Sequence, residues 1–307
     1  MPLRRRMLGR TGLYVSELGF GCAAFWSRPV FPEREALPLL EQAIDRGIDF
    51  IDTGPNYAAG NAERRLGTVL RSLGSAAGKL VVCSKVGTHA THDGRNFRDW
   101  SPQAVRTSVR RSLERLGIDR LAVLHLHGPT PSDLTPPLLE TLADLKREGT
   151  VNFLGMNTSE RDAVRFGLAN PLFDSFMIDY SIVRKRNGAL LDAVTAAGAG
   201  AVISTPIAQA LFRPSMWPTS LKKAWELARA LKNRRGDLVA ARSYGFLNEL
   251  PGMTGAQAAL AFAMRGGNFA TAVFGTTSPQ HLALNLAAAD IVLPPDLVRR
   301  IEALPDA

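Results

Sequence analysis

The chain has only two cysteines, Cys22 and Cys83. Both stand at the ends of apolar runs without the spacing of a zinc site, which argues for buried thiols and against a disulfide or a metal centre. No run of 18 or more uncharged apolar residues is present, so no membrane-spanning helix is expected. The opening Met1-Pro2-Leu3-Arg4-Arg5-Arg6 lacks the apolar segment and cleavage site of a signal peptide, and a soluble, cytoplasmic protein follows as the expectation. No Gly-x-Gly-x-x-Gly turn follows a strand, which argues against a doubly wound dinucleotide-binding sheet. Repeats, low-complexity linkers and domain boundaries are also missing. An acidic balance is lacking as well: 37 Lys and Arg against 28 Asp and Glu give a formal charge of +9. The basic residues fall in separated groups, among them Arg4 to Arg6, Arg184-Lys185-Arg186 and Lys222-Lys223, with no nucleic-acid recognition module beside them. We read a solvated basic surface that steers an anionic cofactor, with no nucleic-acid or membrane partner.

What the chain does have is alternation. Apolar strand-like segments begin near residues 18, 49, 80, 121, 151, 175, 201 and 271. Helical stripes lie between them: Ala36, Leu39, Leu40, Ala43 and Ile44; Leu66, Val69, Leu70 and Leu73; Val105, Val109, Leu113 and Leu116 behind the cap Ser101-Pro102; and Leu138, Leu142 and Leu145. Ahead of the first strand, Arg6-Met7-Leu8 and Tyr14-Val15 flank the turn formers Gly9 to Gly12, which predicts a hairpin. The interval before the last strand carries two helical patterns, Leu221 to Leu231 and, behind the capping box Thr254-Gly255-Ala256-Gln257, Ala258 to Met264. The expected fold is α/β: one (β/α)₈ barrel domain over 1–307, with an N-terminal β-hairpin and extra helices after strand 7 and at the C-terminus, where Pro294 to Leu304 reads as helical.

Three strands of such a barrel deliver polar residues to its carboxyl-end face. Asp52 ends Phe50-Ile51-Asp52, Tyr57 lies in the Gly54-Pro55-Asn56 turn just beyond, Lys85 ends the run from Leu80, and His127 precedes Gly128-Pro129. A phenol, with a pKa near 10, donates poorly at neutral pH; an ammonium touching its oxygen lowers that pKa, and Asp52 keeps Lys85 charged and oriented. Asp52, Tyr57 and Lys85 therefore make one proton-transfer device, and His127 polarises a carbonyl. Taken singly, each has a structural explanation, as a turn cap, a paired lysine or a satisfied core histidine; the constellation favours the catalytic one. His125, two residues before His127, points to the same face of a regular strand.

These residues, in this order, resemble the tetrad of the aldo-keto reductase superfamily, and the resemblance runs from Leu8-Gly9-Arg10-Thr11-Gly12-Leu13-Tyr14-Val15-Ser16 to Asn285. The family's histidine precedes Gly-Pro, as His127 does here, so the resemblance implies His127 as the catalytic one and leaves His125 to the barrel interior. The Arg-Thr-Gly-Leu-x-Val-Ser opening, followed by Leu-Gly-Phe-Gly, is similar to the bacterial branch that includes aldose dehydrogenases. The resemblance implies an NADP-dependent oxidoreductase acting on a small carbonyl or alcohol, monomeric or weakly homo-oligomeric, with NAD as the possible alternative cofactor. It also implies the cofactor contacts. Gly155-Met156-Asn157-Thr158 corresponds to the family's Gly-Val-Ser-Asn, placing Asn157 and Thr158 at the carboxamide. Met177 stands where the family has a glutamine and offers no donor and acceptor pair. Ser204-Thr205-Pro206-Ile207-Ala208 replaces Tyr-Ser-Pro-Leu-Gly, so Ser204, Pro206, Ile207 and Ala208 line the cofactor without the stacking aromatic. Gly21, Cys22, Ala210 and Leu211 complete that wall. Thr276, Thr277, Ser278, His281 and Asn285 form the adenosine-phosphate loop, where Ser278-Pro279 also reads as an ordinary helix start and where no strong basic clamp for a 2′-phosphate appears.

Two enzyme alternatives and one non-enzyme alternative stand beside this reading: an NAD-dependent aldose dehydrogenase, a Schiff-base aldolase using Lys85, and a cofactor-binding regulatory subunit with slow or no turnover. Phe25, Trp26, Trp100 and Trp217 are candidates for an apolar substrate pocket.

Overall fold

The structure, a computed structural model, describes residues 2–91, 95–208 and 235–307, with Arg235 described in its backbone alone. Strands β1 (Arg5–Met7) and β2 (Tyr14–Ser16) pair antiparallel as the expected hairpin. Its turn residue Leu8 is fully buried against Gly200, and Arg10 N donates to Gly198 O at 2.9 Å. Burial of such a leucine contributes roughly 1.5–3 kcal/mol. Ser16 N donates to Asp49 Oδ1 at 2.6 Å and Asp49 N donates back to Ser16 Oγ at 3.0 Å. These contacts all lie at the amino ends of barrel strands, so the hairpin closes the bottom and leaves the opposite face for chemistry.

The barrel strands are β3 (Leu18–Gly21), β4 (Phe50–Asp52), β5 (Val81–Val86), then, after a second hairpin of β6 (Thr88–Ala90) and β7 (Asn96–Arg98), β8 (Leu121–His127), β9 (Val151–Asn157), β10 (Ser175–Asp179), β11 (Gly200–Ser204) and β12 (Thr271–Phe274). Each pairs in parallel with the next in chain order, and β12 returns to β3, giving a closed eight-stranded barrel. Strand periodicity sorts the side chains into two cores. Phe50, Val81, Cys83, Val123, Met177, Val202 and Val273 form the interior cluster, joined by Leu8 and Val15 of the hairpin. Intervening residues such as Phe20, Ile51, Val82, Leu124 and Ile203 belong to the outer cluster, which the helices cover.

Those helices are α1 (Glu33–Asp45), α2 (Asn61–Leu73), α3 (Pro102–Leu116), α4 (Pro136–Arg147), α5 (Arg161–Ala169), α6 (Gly188–Ala196), α7 (Arg235–Ala241), α8 (Gly255–Met264), α9 (Pro279–Ala287) and α10 (Pro295–Glu302). The predicted caps form: Ser101 Oγ accepts from Ala104 N at 3.3 Å, and Thr254 and Gln257 make a reciprocal box. Helix α8 is buried along its whole length and connects directly to β12, so it is the barrel's own seventh helix. Helix α7, after strand 7, and α10, at the C-terminus, are the extra ones. The Leu221 to Leu231 pattern, Ala210, Leu211 and Trp217 lie outside the described residues.

Candidate active site

The carboxyl-end face gathers Asp52, Tyr57, Lys85 and His127. Asp52 is the last residue of β4, and the chain turns at once: Thr53 N donates to Cys83 O at 2.9 Å and Tyr57 N to Gly54 O at 3.1 Å. Ala58 and Ala59 follow with φ of 50° and 51°, a left-handed conformation that costs on the order of 1–3 kcal/mol per residue without glycine. The turn brings the Tyr57 ring back over β5 and β8. Its centroid lies 5.0 Å from Lys85 Nζ and 6.0 Å from the His127 ring, edge to face at 85°.

Lys85 is essentially buried and donates to Asp52 Oδ1 at 2.5 Å and to Thr53 O at 2.9 Å. Burial works against its charge, but Asp52 and then Tyr57 outweigh it and hold its pKa above the ordinary lysine range. A protonated Lys85 is the form that activates a phenol and the wrong form for a Schiff base. Asp52 answers to two opposed effects, burial raising its pKa and Lys85 lowering it. His127 is pushed down to about 3 by burial, then by the Lys85 and Arg98 charges, so its imidazole is neutral at pH 7, and among the described residues its buried Nδ1 has no hydrogen-bond partner. His125 takes the interior place assigned to it: fully buried, Nε2 3.2 Å from Ser175 Oγ, also pushed down to about 3, by burial first. Gly155 makes the room, since a Cβ there would stand 2.5 Å from the His125 ring.

Around this centre lies support that the sequence did not single out by role. Glu63, fully buried on α2, accepts from Ser84 Oγ and from Arg115 Nε, each at 2.7 Å, and so ties the Tyr57 turn's helix to β5 and α3. Thr88 Oγ1 on the unforeseen β6–β7 hairpin donates to His127 O at 3.0 Å. Charged residues just past a strand or within a helix's first turn were the available signal.

The expected cofactor residues occupy the other half of the mouth. Asn157 ends β9, paired in register with His127 on one side and Met177 on the other, and among the described residues its carboxamide makes no hydrogen bond. Thr158 is buried, its Oγ1 3.4 Å from Pro129 O and accepting from Glu160 N at 3.1 Å. Met177 is 2% exposed within the interior cluster. Ser204 Oγ donates to Asp179 Oδ1 at 2.6 Å, and Thr205 Oγ1 to the same oxygen at 3.2 Å. Pro206 and Ala208 are buried and Ile207 half-buried, in a turn that puts Thr205 and Ala208 at φ 55° and 49°. Gly21 pairs with Asp52, and Cys22, a fully buried thiol, donates its N–H to Asp52 O at 2.8 Å. At the far end, Ser278 caps α9 by accepting from His281 N at 3.3 Å, Thr276 Oγ1 accepts from Ser278 N at 3.2 Å, Thr277 lies between them, and Asn285 is buried one turn further along. Trp26 corrects an expectation: it is 1% exposed with Nε1 donating to Ala36 O at 3.0 Å, which makes it core and not pocket lining. Trp100 is half-buried against Gly87, and Phe25 is half-buried beside Phe31.

Comparison with known proteins follows the same lines. The family model described as "Aldo/keto reductase family" matches residues 17–306. The chain belongs to the aldo/keto reductase family. Among relatives of this chain, L-galactose dehydrogenase of Arabidopsis thaliana is 31% identical over 262 residues, 80% of each chain. An uncharacterized oxidoreductase of Bacillus subtilis, YqkF, is 27% identical over 186 residues, and the chain spans 58% of its length. The holo form of an aldo-keto reductase from Bacillus halodurans superposes with a TM-score of 0.79 at 24% identity, covering 99% of this chain and 97% of that one, a likeness of fold.

Proposed function

We propose that the protein is an NADP-dependent oxidoreductase that interconverts a carbonyl and an alcohol by hydride transfer, with Tyr57 as general acid and base. The observation that carries this reading is the chain of buried Asp52 and Lys85 and half-buried Tyr57 beside a neutral His127. The Lys85 ammonium, held charged by Asp52, stabilises the phenolate over the phenol, so the Tyr57 Oη proton passes readily to a carbonyl oxygen and returns in the oxidative direction. His127, uncharged, donates a hydrogen bond to the same oxygen without competing as an acid and fixes its approach. The residues fit a nicotinamide dinucleotide at both ends: Asn157 offers a donor and acceptor, unpartnered among the described residues, beside His127, and the start of α9 offers an amide-rich terminus to a phosphate. When bound, the reduced nicotinamide supplies the hydride. Lys85 serves as a cation, which sets the aldolase reading aside.

A cytoplasmic setting suits the two buried, unpaired thiols. A second reading, oxidation of an aldose with NAD, is supported by the likeness to L-galactose dehydrogenase. Initial rates with NADPH and NADH over a panel of aldehydes, ketones and sugars, with L-galactose and NAD or NADP run in reverse, decide between them. We expect NADPH-dependent reduction of at least one aldehyde; turnover confined to an aldose with NAD would replace the first reading with the second, and none in either direction would sink both.

A further inference from the structure

We propose that the substrate carries a carboxylate and that Arg98 holds it on the His127 side of the mouth. This deepens the carbonyl-reducing reading above and rests on it for the identity of the reacting end.

The β6–β7 hairpin pairs Thr88 with Arg98, which puts the two side chains on one face. Both lean on the end of β8: Thr88 Oγ1 donates to His127 O at 3.0 Å, and Arg98 Nη2 lies 3.2 Å from where a Cβ would sit on Gly128, the residue after His127. The hairpin is fixed there. Asp99 N donates to Gly87 O at 3.0 Å, His89 stacks on Phe97 with centroids 5.3 Å apart, and the Trp100 ring fills the space that a side chain on Gly87 would need.

Among the described residues the exposed guanidinium of Arg98 makes no hydrogen bond and no ion pair. Arg115, which lines the same cleft as Phe97 and Asp99, is committed to Glu63. The neighbouring carboxylate, Asp99, is turned away and accepts from Ser101 N at 2.9 Å. The Lys85 charge deeper in the mouth is already met by Asp52, so among the described residues Arg98 is an unpaired cation whose charge acts on His127. Its field reaches the imidazole, where it adds to burial and Lys85 in disfavouring the charged form. A planar fork of N–H donors held at a rim is matched by a carboxylate, which takes two parallel hydrogen bonds from it. The phosphate contact proposed above lies at the start of α9, just after β12 and on the opposite side of the barrel from β8, so the cofactor's phosphates leave this cation to the substrate.

The test uses two aldehydes of one shape, 4-carboxybenzaldehyde and its neutral isostere 4-carbamoylbenzaldehyde, with the full-length protein. Binding is measured by titration calorimetry without cofactor, and kcat/KM with NADPH. The wild type should favour the carboxylate by about tenfold or more in both, the scale of one charged hydrogen-bond pair. Arg98→Gln should bring the carboxylate-to-amide ratio to about one, and Arg98→Lys should restore part of it. Equal affinities in the wild type, or selectivity that survives Arg98→Gln, overturn the proposal. So does a loss confined to NADPH binding, which would assign Arg98 to the cofactor. Selective binding without turnover of either aldehyde would leave the carboxylate site standing and count against the catalytic reading instead.

Discussion

The two halves of the barrel mouth differ in how their polar groups are spent. On β4, β5 and β8, buried Asp52 and Lys85 and half-buried His127 form a polar set: the lysine is tied to the aspartate, while among the described residues the buried imidazole Nδ1 of the histidine has no partner. On β9 to β12, Thr158, Ser204, Thr276 and Ser278 satisfy local backbone or Asp179, Met177 is packed among apolar side chains, and Asn157 keeps its amide uncommitted. Proton transfer needs charges desolvated and fixed before substrate arrives, and that requirement shapes the fold itself. Holding a cofactor asks less of the empty protein, because turns and helix caps that form for their own reasons present amides to a ligand at no further cost.

The sharpest way to break this contrast is to remove the cation. Lys85→Met should lose about 10²- to 10⁴-fold in turnover, with the pH profile of the residue shifted upward as the phenol loses its ammonium neighbour; steady-state rates across pH with an unshifted profile would uncouple the two residues. A smaller effect comes from the desolvated histidine beneath the site. His125 titrates near 3 when folded and near 6.5 when unfolded, so below pH 6.5 the unfolded chain takes up the proton first. The stability that His125 contributes is therefore complete above that pH and falls as pH drops toward 3, by about 2 kcal/mol at pH 5, beside a similar loss from His127. Urea titrations at pH 7 and 5 should show this loss, and His125→Gln should remove about that much of it; an unchanged difference would mean that the imidazole is not held neutral. The smallest effect belongs to the cofactor half. Met177→Gln should tighten NADPH binding about two- to tenfold, one net hydrogen bond, while the unliganded protein loses about 1–3 kcal/mol from a glutamine buried among apolar neighbours. Fluorescence titration that finds equal or weaker binding would mean the methionine is already the better fit.

Much of the barrel was legible in the sequence because apolar strands and helical stripes alternate, and each residue proposed as catalytic stands at or just past the end of such a strand. The hairpin β6–β7 was not: Asn96, Phe97 and Arg98 are all exposed and carry no apolar alternation. Helix α5 buries only Ala163, Val164 and Gly167, too small a stripe to stand out from its polar surroundings. Trp26 misled because an aromatic in a loop near the mouth reads equally as pocket or core, and only its bond to Ala36 O distinguishes the two. At Ser278 the cap and the phosphate site share one residue pattern, and the cap is what the folded chain displays.

The central claim is that Tyr57 moves the proton and does not hold the cofactor. Tyr57→Phe keeps the ring against Lys85 and His127 and removes only the hydroxyl. NADPH-dependent turnover should fall by about 10²-fold or more, while NADPH affinity measured by fluorescence titration stays within a few fold. Turnover close to that of the wild type would contradict the account.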